Sequence, residues 1–293
     1  MNTPTPPRWT LGGAPRPAAP QLFCFPHGGG SAAEYLRWAR DLRTGEPQCV
    51  QLPGRGSRTR EPVITSMDAL VDALLDGVRP AREPFVFFGH SFGSLVAFEF
   101  TRALRAAGRP QPAHLVVSGY PAPHLPRAAS RLHLLGDRAL LEAVAERHGG
   151  IPPEVLADDD LVVLAARALR ADYQILETYA HRPEPPLSVP VTVLGGTEDR
   201  VTAEQLDAWR EVTDAEVTVR RFPGGHFYLR DRPAPVLRAL SAALASAAAD
   251  ARTGEGPRDR TGVRTGEALS ERTDARSGEG LTGARTGGGN APC

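Results

Sequence analysis

The chain has 293 residues, 34 basic and 34 acidic side chains, and a hydrophobic fraction of 41%, which is ordinary for a folded soluble protein. That length buries a sizeable core without staples, and zero net charge gives no global attraction to nucleic acid or an anionic membrane. The three cysteines (Cys24, Cys49, Cys293) show no paired spacing, and the Pro-rich start lacks a long apolar run. This disfavours a disulfide framework, a zinc site, a signal peptide and a membrane span, and points to the reducing cytoplasm.

Residues 1–20 are Pro-rich and are expected to be flexible or loosely attached. Leu22 to Phe25 then reads as a strand, followed by a Gly-rich turn and a helix from about Ala32 to Leu42. A strand over Cys49 to Leu52 precedes a helix from about Ser66 to Val78. Phe85 to Phe88 is a strand, with a helix from about Ser94 to Ala107, and His114 to Ser118 is a further strand. After an interval come strand Val191 to Leu194, helix Ala203 to Glu211, strand Glu216 to Phe222 and helix Pro233 to Ala249. Strands and helices in alternation predict an α/β fold with a mainly parallel sheet and helices on both faces. The strands are continuous apolar runs, as burial on both sides requires.

Between Gly119 and Pro190 the rhythm breaks. Helical periodicity appears at Asp137 to Arg147 and at Asp160 to Tyr179, and the Asp158-Asp159-Asp160 run suits a helix start. A helical insertion over about 120–189 would serve an enzyme as a lid; the alternative is a structural embellishment. From about Asp250 the chain repeats Arg-Thr-Gly-Glu with few large apolar residues. Such a segment cannot offset its ordering entropy, so 250–293 is expected to be a disordered tail beyond a domain of 21–249.

Gly89-His90-Ser91-Phe92-Gly93 lies between a strand and a helix. A serine on so sharp a turn needs small neighbours, and this is the pattern of a nucleophile elbow. A glycine-rich loop without chemistry is the alternative, and the flanking strand and helix argue against it. A serine hydroxyl needs a base, and the base needs a carboxylate to fix its tautomer. On such a sheet the acid and then the base follow the serine, each at a strand end. His226, in Pro223-Gly224-Gly225-His226, fits the base. Asp199, in Gly195-Gly196-Thr197-Glu198-Asp199, fits the acid, with Glu198 its first competitor. Two backbone donors must hold the oxyanion. Phe92 follows the nucleophile and would supply one, and Gly28 of the His27-Gly28-Gly29-Gly30 turn would supply the other. A phosphate-binding loop would need spacings and a Lys that the chain lacks.

These motifs, together with Gln51-Leu52-Pro53-Gly54-Arg55-Gly56, resemble the type II thioesterases of modular polyketide and nonribosomal peptide synthesis over roughly 9–247. The Leu-Pro-Gly-Arg block discriminates, because an elbow and triad occur in many α/β-hydrolases. Gly28 departs from the Ala usual there but keeps the backbone donor. The resemblance implies an α/β-hydrolase fold and a stand-alone enzyme that clears stalled or aberrant acyl groups. Its substrates would be thioesters on the phosphopantetheine arm of acyl or peptidyl carrier proteins. No metal or redox cofactor is called for, and analogy implies a monomer. Other readings are a medium-chain fatty acyl-carrier thioesterase, a generic esterase, and a non-catalytic binding module.

Overall fold

The computed structural model of the chain describes residues 8–13, 19–42, 44–126 and 130–253. Its strands are β1 (Thr10–Leu11), β2 (Gln21–Phe25), β3 (Glu46–Val50), β4 (Phe85–His90), β5 (His114–Ser118), β6 (Val191–Gly196) and β7 (Val217–Phe222). They form one sheet in the order β1-β3-β2-β4-β5-β6-β7, parallel throughout except for β1 against β3. The helices are α1 (Ala33–Leu36), α2 (Met67–Gly77), α3 (Phe92–Ala106), α4 (Asp137–His148), α5 (Pro153–Ala157), α6 (Asp159–Thr178), α7 (Ala203–Asp207), α8 (Tyr228–Asp231) and α9 (Pro233–Thr253).

Strand side chains alternate between two cores, as a period of two demands. Phe23, Phe25, Phe85, Phe87, Leu115 and Val117 point to one side, where α2 and α3 lay down Leu70, Leu74, Leu95 and Phe100. Leu22, Cys24, Val86, Phe88 and Val116 point to the other, covered by Tyr35, Trp38 and the α9 residues Val236, Leu240 and Leu244. Both faces of the central strands are therefore dry, which explains their unbroken apolar runs. Cys24 and Cys49 are register partners on β2 and β3, and both are free, buried thiols.

The insert between β5 and β6 packs a small core of its own, including Leu140, Leu141, Val144, Val162, Ala166 and Leu169. The Asp158 carboxylate caps α6 by accepting the N–H groups of Asp160 (2.9 Å) and Leu161 (3.1 Å). Two expected helices are shorter than their periodicity. The helix over 32–42 is α1 followed by a 3-10 turn (Arg37–Arg40), and that over 203–211 is α7 followed by another (Ala208–Glu211). A 3-10 turn eclipses residues three apart. Here Trp38 packs against Tyr35 with tilted rings (centroids 4.7 Å, planes at 56°), and Trp209 turns inward, where its Nε1 donates to the Tyr120 carbonyl at 2.9 Å.

The expectation of a loose segment over 1–20 does not hold at Trp9 to Leu11. Thr10 and Leu11 pair with Val50 and Cys49, and the Trp9 ring lies 4.0 Å from the Arg58 guanidinium. Residues 1–7, 14–18 and the tail beyond Thr253 lie outside the described residues. Among the described residues, no helix is long and apolar enough to cross a membrane.

Candidate active site

Three strand ends and one early turn build the site. Strand β4 ends at His90 and α3 starts at Phe92, leaving Ser91 alone on the turn between them. Ser91 is the one non-glycine residue with positive φ among the described residues (φ 54°, ψ −120°). Holding a serine there costs on the order of 1–3 kcal/mol, which the surrounding packing must offset. The turn is pinned by the Ser91 N–H donating to the Ser118 carbonyl at 2.7 Å. Ser94 Oγ adds bonds to the Gly89 and Ser118 carbonyls at 2.8 and 3.0 Å. The flanking glycines are forced by contact: a Cβ on Gly89 would lie 2.1 Å from the Gly93 carbonyl oxygen, and one on Gly93 would lie 2.2 Å from that of Phe25.

Asp199 follows β6, and His226 follows β7. The neighbouring parallel strands bring both loops to the same end of the sheet. His226 Nδ1 and Asp199 Oδ2 are 2.9 Å apart, with side chains 5% and 1% exposed. Burial pushes the Asp199 carboxyl up. The bond and charge of His226 and the Val201 and Arg200 amides outweigh that, so its pKa falls below the ordinary value. Glu198, the competitor, is exposed, and its N–H donates to the Gly224 carbonyl at 3.0 Å.

Ser91 and His226 line one cavity of about 600 Å³ at this end of the sheet. The insert supplies its far wall through Arg147 and His148 at the end of α4 and Tyr173 and Leu176 of α6. A concave space of that size, lined by both apolar and polar side chains, suits a small-molecule ligand. The His27-to-Gly30 turn follows β2 and is closed by the Gly30 N–H donating to the His27 carbonyl at 2.9 Å. Helix α3 begins at Phe92, so its first amides find no acceptor inside the helix.

The structure brings in one residue that none of the sequence motifs contains. His148 belongs to the insert, yet its ring centroid lies 4.4 Å from that of His226. Its pKa falls to about 3, through burial first and then the His226 charge. His27 also falls to about 3, and His90 lies well below its usual value, in both cases mainly through burial. Neutral His148 and His90 thus lie against His226, with ring centroids 4.4 and 5.0 Å from its own. A histidine at the very end of an inserted helix carries no periodic or motif signal, so only the fold could place it.

A family model for the thioesterase domain matches residues 20–244. Thioesterase PikA5 of Streptomyces venezuelae is 40% identical over 220 residues, covering 73% of this chain and 77% of that protein. The gramicidin S biosynthesis protein GrsT of Aneurinibacillus migulanus is 36% identical over 212 residues, covering 71% and 82% respectively. Among solved structures, the type II thioesterase BorB from the borrelidin biosynthetic cluster superposes with a TM-score of 0.71 at 36% identity, covering 80% of this chain and 96% of BorB. The parallel sheet, the strand-end loops and the matched span agree, and the chain belongs to the thioesterase family, with the α/β-hydrolase fold.

Proposed function

We propose that this thioesterase hydrolyses acyl thioesters carried on the phosphopantetheine arm of acyl or peptidyl carrier proteins. Its task would be to remove stalled or aberrant acyl groups from a polyketide or nonribosomal peptide assembly line in the cytoplasm. One observation carries the chemistry: His226, buried and 2.9 Å from Asp199, lines the same cavity as a serine held at positive φ. The pathway reading draws on the relatives, which are named for gramicidin S, a PikA5 thioesterase and borrelidin.

In this reading Asp199 fixes the imidazole with its proton on Nδ1, leaving Nε2 to accept the Ser91 hydroxyl proton. Ser91 Oγ attacks the thioester carbonyl carbon. The oxyanion is held by the Gly28 and Phe92 amides, preorganised where charge develops. The tetrahedral species collapses, the C–S bond breaks, and His226 returns its proton to the departing pantetheine sulfur. Water then gives a proton to His226 and attacks the acyl-serine. The second collapse releases the carboxylic acid and restores the Ser91 hydroxyl. The residues supply the whole proton circuit, so the reading calls for no metal or redox cofactor. The insert acts as a lid over the acyl and pantetheine channel.

The discriminating test compares one acyl group on a carrier protein, on a short thiol and as a simple oxyester. The reading expects a kcat/KM preference for the carrier. Equal turnover of all three would replace it with a generic esterase; in the carrier assay repeated over a series of acyl chain lengths, a sharp optimum at medium length would favour fatty acyl release.

A further inference from the structure

The Leu52-Pro53-Gly54-Arg55 block has a partner in the insert. Arg55 lies after β3, and Asp172 lies in the middle of α6, 117 residues away in sequence. Both are buried, at 6% and 1% exposure. Arg55 Nη2 donates to Asp172 Oδ1 at 2.7 Å, and Nη1 donates to Oδ2, giving a bidentate pair. The same Oδ2 accepts the Gly29 N–H at 2.8 Å, and Arg55 Nη1 donates again to the Gly30 carbonyl at 3.3 Å. One ion pair therefore grips two consecutive residues of the turn that begins at Gly28. Gln51 reinforces it, accepting the Ala32 N–H at 3.2 Å and donating to the Arg55 carbonyl at 3.1 Å.

Asp172 is the one acid among the buried residues of α6, whose other members are apolar or tyrosine. A buried ion pair adds little net stability over apolar residues of the same volume, while loss of one partner is costly. What such a pair does supply is a fixed geometry. We infer that Arg55 and Asp172 are positioning residues that hold the Gly28–Gly30 turn where the Gly28 amide meets the developing oxyanion. The placement of that donor then depends on α6 being seated against the core. The inference rests on the role proposed for Gly28.

Three variants test it: Asp172→Asn, which removes the charge but keeps an acceptor; Arg55→Lys, which keeps the charge but loses the fork; and Arg55→Met with Asp172→Leu, which leaves no lone buried charge. Each is assayed for acyl-carrier hydrolysis and for inhibition by two acyl analogues. A trifluoromethyl ketone forms a tetrahedral adduct on Ser91, whereas an unreactive amide mimics the ground state. The folded double variant is expected to lose about 10- to 100-fold in kcat, less than outright removal of an oxyanion donor and in line with a displacement near 1 Å. KM and amide binding should stay near wild type, and ketone binding should weaken with kcat. A purely structural pair would weaken both analogues together, or lower the melting temperature with kcat intact, and either result overturns the inference. Exchange of the Gly29 amide with solvent gives a readout that needs no turnover. Faster exchange in Asp172→Asn or the double variant supports the clasp even if the thioesterase chemistry were misassigned, and unchanged exchange overturns it.

Discussion

Gly93→Ala adds one methyl group at the point where the Ser91 turn meets the end of β2. Its Cβ would lie 2.2 Å from the Phe25 carbonyl oxygen, 2.7 Å from the Phe25 carbonyl carbon and 2.7 Å from the Pro26 oxygen. All three are backbone atoms, so no side chain can swing away. Phe25 is tied in turn to Gly89 across the β2–β4 ladder. Relief requires α3 and the end of β2 to separate by about 1 Å, at the upper end of the roughly 1–3 kcal/mol typical of overpacking. The helix propensity gained by replacing glycine, about 1 kcal/mol at most, does not offset this. For a chain of this size about 3 kcal/mol lowers the melting temperature by roughly 6–12 °C. The same shift separates Ser91 and Phe92 from Gly28, and a displacement near 1 Å costs about 100-fold in kcat. Gly136 is the control, since a Cβ there meets nothing within 4 Å and its φ is −59°. Thermal unfolding by circular dichroism and kcat at 25 °C on folded protein measure both effects. Wild-type stability and turnover in Gly93→Ala would refute the claim that the Ser91 turn and the end of β2 are locked in contact.

Asp199→Asn keeps the shape of the acid but favours the wrong imidazole tautomer, and kcat should fall about 10⁴-fold with the fold intact; Glu198→Gln should change little, and the reverse pattern would exchange their roles. Gly28→Ala should retain most activity, because its Cβ would meet Tyr173, Asp172 and Leu169 only at ordinary distances of 3.7 to 3.9 Å. Gly29→Ala should not, because φ there is +74° and Leu169 Cδ1 lies 3.0 Å away. Folding stability should decline as pH drops below about 6.5. His27 and His148 stay neutral in the fold down to about pH 3, whereas the unfolded chain protonates its histidines near 6.5. At pH 5 the two cost about 2 kcal/mol each, to order of magnitude, with His90 and His114 acting in the same direction. A urea midpoint that stays flat from pH 7 to 5 would contradict this.

The sheet was legible because its strands are buried on both faces, so Phe85-Val86-Phe87-Phe88 could hardly be anything else. The elbow was legible for a related reason: backbone contact excludes any residue but glycine at 89 and 93, and that exclusion leaves a pattern. Features made by long-range contact left no such trace. Thr10 and Leu11 form a strand only because β3 offers an open edge, and two residues carry no periodicity. Strand β3 spans Glu46–Val50 and stops short of Leu52. Asp172 did leave a signal, a single carboxylate on the apolar face of an amphipathic helix, but its partner Arg55 could be found only in three dimensions.

The central claim is that Ser91 carries the acyl group between carrier and water. Hydrolysis of a single acyl-carrier protein, followed side by side for wild type and Ser91→Ala with both shown to be folded, tests it most directly. The account predicts a loss of order 10⁴-fold or more, with the residue left attributable to binding and the oxyanion donors. Turnover by Ser91→Ala at or near the wild-type rate would contradict it.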